Sequence, residues 1–213
     1  MAAILLPVFA RARENARSSS CLNNEKQIGI AIIAYVQDYD EKYPARQIGP
    51  LYWSQQIYSY IKSVNVFMCP SNSRNTNIAN GVQGAIPAIP ISYAYNARFG
   101  DQGSGFNMST VNEPANKIIV SEIYLQNWSD YGSCWWTGGG NWNQGFAGHG
   151  SSRCNYLMSD GHAKSMNPTA TDATINMWGA VTGNNCNAGD INTDTPDTVN
   201  IDPGLKALDA LFP

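Results

Sequence analysis

The sequence predicts an α+β fold in which one long N-terminal helix packs on an antiparallel β-sheet. Two observations carry this prediction. Residues 1–43 place apolar side chains at helical spacing over many turns. Residues 44–213 are rich in glycine, asparagine, serine and aromatic side chains, and they contain short alternating or β-branched runs typical of strands. The chain therefore divides into an N-terminal helix, residues 1–43, and a globular β-rich head, residues 44–213.

The predicted helix changes character along its length. Its first turns are apolar nearly all round, and Pro7 within them is expected to kink or locally melt the helix. From Cys21 the pattern becomes one-sided, which predicts that the second half packs on the head. Such a helix would be on the order of 55 to 65 Å long, more than the head requires, so part of it should protrude. The one-sided stripe consists of Cys21, Ile28, Ile32, Tyr35, Val36 and Tyr39.

Local breaks and periodicity order the elements of the head. Tyr43-Pro44 is expected to end the helix. Asp160-Gly161 lies between two alternating arms and predicts a β-hairpin with a type I′ turn. A short helix is predicted over residues 51–62, and strands are predicted over residues 64–68, 91–96, 117–123, 155–159 and 162–166.

Composition narrows the class of protein. The chain of 213 residues is long enough to bury a sizeable core, and only 14% of its residues are charged. A net charge of −3 gives no electrostatic basis for binding nucleic acid. The abundance of glycine, asparagine, serine and aromatic residues suits a loop-rich β head exposed outside the cell.

Two segments resemble one known family. Residues 2–44, AAILLPVFARARENARSSSCLNNEKQIGIAIIAYVQDYDEKYP, resemble the helix of type IV pilin-like and pseudopilin-like proteins, in particular the bacterial prepilin-type group with a processing-associated His and Asp-Gly signature. Residues 146–164 are similar to that signature, with His149 followed by Asp160-Gly161 and His162. The spacer after His149 is one residue longer than is usual in the family. The resemblance implies a pilin-like fold with long disulfide-pinned loops.

The resemblance also implies a structural function, in which apolar helix starts bundle in the core of a filament and the heads cover its outside. The chain would then be a subunit of an extracellular type IV pilus-like filament or of a type II secretion pseudopilus, reached via the inner membrane, and not an enzyme. Residues 1–10 supply about half of the roughly 20 apolar residues that a membrane span needs, so anchoring before assembly is expected only if a further N-terminal segment exists. The charged residues of the helix start would meet charges on adjacent helices, or would simply be solvated. The candidate assembly residues are Ile4, Leu5, Pro7, Val8, Phe9, Arg11, Arg13 and Glu14.

The five cysteines form no C-x-x-C pair, and wide spacing in an exported protein favours disulfides over zinc or thioredoxin-like chemistry. The resemblance implies a bridge between Cys21 and Cys69, which would staple the helix to the loop beneath it. Buried reduced cysteines are the alternative. The pairing of the remaining three, Cys134, Cys154 and Cys186, stays open.

A candidate calcium loop lies near the C-terminus. Side-chain oxygens alternate there in a D-x-N-x-D pattern, and Ca²⁺ takes several hard oxygen ligands from a turning loop. Pseudopilins often use such a loop, so the resemblance favours Ca²⁺, although Asx-turns alone would also explain the pattern. The candidate ligands are Asp190, Asn192, Asp194, Asp197 and Asp202.

The sequence is also compatible with two other classes of function, a carbohydrate-binding module and an enzyme. Trp135, Trp136 and Trp142 on a glycine-rich loop could form a sugar-stacking surface, which would make the chain a secreted adhesin or carbohydrate-binding module; the alternative is that the rings cap the sheet or bury a subunit contact. His149, Asp160 and His162 supply two imidazoles and a carboxylate, which could bind a metal or carry acid-base chemistry. No recognised catalytic motif accompanies them, so a structural role is expected.

Overall fold

The structure is a computed structural model. It describes residues 2–73, 84–90, 92–100, 103–123, 149, 153–171 and 173–179, with the side chains of the helix from Leu6 onward.

The N-terminal helix α1 spans Ala2–Asp38 and runs through Pro7 without interruption. It ends five residues before the predicted stop at Tyr43, because Asp40 (φ 52°) and Glu41 (φ 58°) take left-handed conformations. Tyr43 instead belongs to the core of the head, where its hydroxyl donates to the Ser159 carbonyl at 3.0 Å. In the described part of the chain, no helix combines the length and the apolar character that crossing a membrane requires.

The head contains short elements joined by long connections. Four of the five predicted strands are found: two lie within residues 91–96 and 117–123, and the other two are the hairpin arms predicted over residues 155–159, where the strand begins one residue earlier, and 162–166. The helix predicted over residues 51–62 is found as two short helices that are separated at Ile57, and its first two residues form a strand instead. The predicted strand over residues 64–68 is wrong, because these residues form a 3-10 helix. The elements are β1 (Gln47–Ile48), β2 (Leu51–Tyr52), α2 (Trp53–Gln56), α3 (Tyr58–Ile61), a 3-10 helix (Val64–Phe67), β3 (Tyr93–Tyr95), β4 (Ile118–Glu122), β5 (Cys154–Met158) and β6 (Ala163–Met166).

Strands β3 to β6 form an antiparallel sheet in chain order, so β4 and β5 are its central strands. Helix α1 packs on β5 and β6 and on the segment that contains α3 and the 3-10 helix. The predicted stripe of α1 is buried in this core, except that Tyr39 is exposed. A second apolar cluster covers the other face of the sheet, where Tyr156 packs edge-on against Trp178.

The predicted hairpin joins β5 to β6, but its turn is of another type. A type I′ turn needs positive φ at both central residues. Within the turn only Gly161 has positive φ (94°), and its amide donates to the Met158 carbonyl at 2.9 Å. The geometry is a type I turn followed by a glycine, so the prediction of type I′ is wrong while the position of the turn is confirmed.

Two glycines let α1 approach the hairpin closely. A Cβ atom placed on Gly29 would lie 2.6 Å from the carbonyl oxygen of Gly161 and 2.7 Å from Cδ1 of Leu157. Only a residue without a side chain fits at this crossing.

The predicted disulfide between Cys21 and Cys69 is confirmed, with a Cα–Cα distance of 5.0 Å. It links α1 to the segment that follows the 3-10 helix. Cys154 on β5 is a buried free thiol. Cys134 and Cys186 lie outside the described residues.

Candidate functional site

The apolar start of α1 is exposed. Leu6, Val8 and Phe9 show 73%, 61% and 71% of their surface to solvent, whereas the apolar stripe of the second half is buried. Large exposed apolar side chains grouped on one element are typical of interaction surfaces. Pro7 lies among them on the helix, and the side chains of Ile4 and Leu5 lie outside the described residues.

The charged residues that follow the apolar start differ in their surroundings. Arg11 and Arg13 are exposed, as contact with another helix would require. Glu14 is partly buried and already engaged within its own chain: its Oε1 accepts from the Ser71 hydroxyl at 2.6 Å and lies 2.9 Å from Nδ1 of His149. An ion pair between Glu14 and an adjacent helix would therefore compete with these contacts.

His149 bridges α1 and the sheet. Its side chain is almost fully buried, with Nδ1 2.9 Å from Oε1 of Glu14 and Nε2 2.8 Å from Oε1 of Glu122. Burial by itself lowers the pKa of His149, but the hydrogen bonds and charges of Glu122 and Glu14 outweigh burial and raise it above its ordinary value. Because a carboxyl oxygen faces each ring nitrogen, the arrangement favours the imidazolium cation, in which both nitrogens donate.

Glu122, at the end of β4, is fully buried and well supplied with donors. The Asn155 backbone amide donates to its Oε2 at 2.8 Å, and the Asn155 side-chain amide donates to its Oε1 at 3.2 Å. The same side-chain amide lies 3.4 Å from the Ser18 carbonyl oxygen of α1. Glu122, His149 and Asn155 therefore form one polar contact region between the helix and the sheet.

The disulfide lies against this region. Sγ of Cys69 is 3.4 Å from Oε1 of Glu122 and 3.7 Å from Nε2 of His149. Cys69, His149 and Glu14 are arranged like a catalytic triad, with a cysteine next to a histidine base and a carboxylate that orients the histidine. However, the sulfur is bonded to Cys21 and Cys69 is buried, so in this state it carries no thiolate that faces solvent.

Glu25 is a second buried carboxyl group, and sequence reasoning missed it. It is fully buried on α1, and within the described part of the chain neither of its carboxyl oxygens has a hydrogen-bond partner. Burial, and then the charge of Glu122, raise its pKa well above the usual range for glutamate. The signal was present in the spacing, since Glu25 lies four residues after Cys21 and three before Ile28 on the buried stripe.

The two histidines that the sequence suggested for one metal or acid-base site have different surroundings in the structure. His149 contacts Glu14 and Glu122 in the interior, whereas His162 contacts Asp160 at the hairpin tip, with Nδ1 2.6 Å from Oδ1. The side chain of His162 is 45% exposed. Among the described residues, the contacts of His149 are those of a structural bridge.

The remaining predicted site residues lie outside the described part of the chain. They stay predictions: the calcium ligands Asp190, Asn192, Asp194, Asp197 and Asp202, and the loop tryptophans Trp135, Trp136 and Trp142.

Comparison with known proteins found a family model that matches the N-terminal part of the chain. The model of a family described as a protein of unknown function (DUF1559), a bacterial family often associated with pilin-like and prepilin-type proteins, matches residues 10–52. No curated protein and no solved structure matched the chain. From the exposed part of α1 to the end of β2, the chain is thus similar to this bacterial family.

Proposed function

We propose that this chain is a structural subunit of an extracellular type IV pilus-like filament or of a type II secretion pseudopilus, and that it assembles through the start of α1. One observation carries the proposal: Leu6, Val8 and Phe9 are exposed on a helix whose second half is buried against the head. A single chain has one end of its helix covered and the other end uncovered. Identical copies would supply the missing cover.

The driving force is burial of apolar surface. Complete burial of an aliphatic or phenyl side chain contributes about 1.5 to 3 kcal/mol, so three such residues contribute roughly 5 to 9 kcal/mol per subunit before the costs of association. A contact between the helix start of one copy and a different surface of the next is heterologous. Its repetition generates an open helical polymer.

Other observations support the compartment. The Cys21–Cys69 disulfide favours an oxidising environment outside the cytoplasm. The family match over residues 10–52 is consistent with a pilin-like surface protein. The proposal assigns the chain a role in assembly and no catalytic step.

Electron microscopy of two variants tests the proposal. Leu6→Ser, Val8→Ser and Phe9→Ser combined should abolish filaments, because the polar replacements remove the apolar contact. Ile30→Ser is the matched control, since Ile30 is on the same helix and 70% exposed but lies in the half that packs on the head. The control should still form filaments.

Both variants must keep the fold for the comparison to hold, and formation of the Cys21–Cys69 bridge, measured by mass spectrometry, reports this. Filaments formed by the folded triple variant at the wild-type level would refute the proposed assembly mode. Equal loss in the triple variant and in Ile30→Ser would show that the helix start has no specific role.

A further inference from the structure

Four potential metal ligands converge at the contact between α1 and the sheet. The sulfurs of Cys21 and Cys69, a carboxylate oxygen of Glu122 and a ring nitrogen of His149 all lie within 4.8 Å of one another, and all four residues are buried. Cys21 lies on α1 and Glu122 on β4, whereas Cys69 follows the 3-10 helix and His149 precedes β5 in the chain. These four residues are far apart in the sequence, and the tertiary fold brings them together.

A second layer of groups orients two of these ligands. Glu14 lies 2.9 Å from Nδ1 of His149, which directs Nε2 towards the sulfurs and Glu122. The Asn155 backbone amide holds Oε2 of Glu122 at 2.8 Å and so turns Oε1 towards the same point. Metal-binding histidines almost always donate their other ring N–H to a carboxylate, a backbone carbonyl or water, and this is the arrangement of Glu14 and His149.

We propose that the reduced, dithiol form of this chain binds one Zn²⁺ through Cys21, Cys69, His149 and Glu122, and that the disulfide form does not. Two sulfurs, one imidazole nitrogen and one carboxylate oxygen are a tetrahedral donor set for zinc. Because all four ligands come from the protein and are buried, the site is closed, as structural zinc sites are.

The two forms exclude each other for a chemical reason. Two reductant thiols give two electrons and two protons to the S–S bond and join as a disulfide. A phosphine supplies the two electrons instead, and one water molecule provides both protons and the oxygen of the phosphine oxide. Zinc then displaces both thiol protons and one imidazole N–H proton if the histidine is charged. With bonds of about 2.3 Å, tetrahedral zinc needs the sulfurs about 3.8 Å apart, a separation that two bonded sulfur atoms cannot reach.

The zinc form would hold the same elements together as the disulfide does. In the reduced chain, a metal ion that joins Cys21 to Cys69 keeps α1 attached to the head and keeps both thiols away from Cys154, which is buried and free. Oxidation by a disulfide would then release Zn²⁺ and form the Cys21–Cys69 bridge. This goes beyond the proposed assembly function and does not depend on it.

Metal binding to the full chain tests the inference. The background variant carries Cys134→Ser, Cys154→Ser and Cys186→Ser, so that the two remaining cysteines are those of the cluster. It is reduced with a phosphine without oxygen, given Zn²⁺ or Co²⁺, and freed of unbound metal. We expect one Zn²⁺ per reduced chain and none per oxidised chain. With Co²⁺ we expect thiolate charge-transfer absorption and the d–d bands of a tetrahedral ion.

Single replacements in the same background identify the ligands. His149→Ala should weaken Zn²⁺ binding by more than tenfold, because it removes a ligand. Glu14→Gln, which leaves all four ligands in place and alters the group that orients His149, should weaken it about 10- to 100-fold and leave the tetrahedral Co²⁺ spectrum in place. His162→Ala is the control, since His162 is the other histidine of the chain and is exposed at the hairpin tip, and it should bind like the background variant.

Three results would overturn the inference: a reduced chain that binds no Zn²⁺, an oxidised chain that binds it equally, or equal affinities for His149→Ala and His162→Ala. Near-ultraviolet circular dichroism tests the folded state in parallel. If the reduced chain is unfolded without metal, saturating Zn²⁺ should refold it. A reduced chain that stays unfolded with saturating Zn²⁺ also contradicts the inference.

Discussion

Replacing Gly29 with alanine should destabilise the docking of α1 on the hairpin. The added Cβ atom would lie 2.6 Å from the Gly161 carbonyl oxygen and 2.7 Å from Cδ1 of Leu157. The leucine can turn aside, but the oxygen belongs to the backbone. Because Cβ atoms essentially never approach closer than 3.0 Å, helix and hairpin must separate by at least about 0.4 Å at this crossing.

Two effects oppose each other in this variant. Overpacking a close contact costs about 1 to 3 kcal/mol, and a contact with rigid backbone belongs near the upper end of that range. Alanine in place of glycine inside a helix contributes about 1 kcal/mol in the stabilising direction. The steric cost is larger, so the net loss is about 2 kcal/mol, which lowers the melting temperature by roughly 4 to 8 °C for a chain of this length.

Thermal and urea unfolding of the oxidised chain measure this loss. Asn23→Ala is the control, because Asn23 is exposed on the same helix and its replacement gains helix propensity without a steric cost. Asn23→Ala should match or slightly exceed the wild-type stability. If Gly29→Ala were also at least as stable as the wild type, the close approach of α1 to the hairpin would be refuted.

Two further predictions concern the buried polar groups, and both depend on pH. The folded-state pKa of Glu25 is raised, so the fold favours the neutral carboxyl group and loses stability as pH rises through that pKa. Glu25→Gln should remove this loss and be more stable than the wild type by about 1 to 3 kcal/mol at pH 8. A variant that keeps the wild-type pH dependence in urea unfolding would mean that another group is responsible. His149→Ala leaves the buried Glu122 and the partly buried Glu14 without their cation and should cost about 3 to 5 kcal/mol at about pH 6. Replacement of the exposed His162 by alanine should change the stability by no more than about 0.5 kcal/mol. Since the pKa of His149 is raised, its contribution to folding stability is complete below the unfolded pKa of about 6.5 and declines as pH rises through the folded value. A loss of stability in His149→Ala that grows with pH would contradict the charge assigned to His149.

Features that depend on neighbouring residues could be predicted from the sequence. The apolar stripe of α1 follows from helical spacing, and the burial of five of its six residues against the head follows from the need to cover one face. The central strand β4 follows from its β-branched run, and the position of the hairpin follows from Asp160-Gly161. The Cys21–Cys69 bridge was implied by family resemblance, not by spacing.

Features in which tertiary contacts compete with the local conformational preference of the chain were predicted less well. The helix was expected to continue to Tyr43, but packing of the Tyr43 ring against Phe99 and its hydroxyl bond to Ser159 draw that residue into the head. Residues 64–68 were expected to form a strand, yet they turn as a 3-10 helix that buries Val66 and Phe67. In both places tertiary contacts outweigh the local preference of the chain.

The sequence by itself determined that this chain has a long helix with an apolar start, a one-sided second half and a β-rich head, because each of these is a property of residues close together in the chain. Only the tertiary structure decided that Glu14, Glu122 and His149 meet beside the disulfide. Glu14 and His149 are 135 residues apart, and nothing in the residues between them sets their distance. Their contact exists because α1 packs across the sheet, which brings Glu14 to one ring nitrogen of His149 and Glu122 to the other. Burial at this contact makes the histidine, which would be solvated in an isolated segment, depend on the two glutamates for charge and hydrogen bonds.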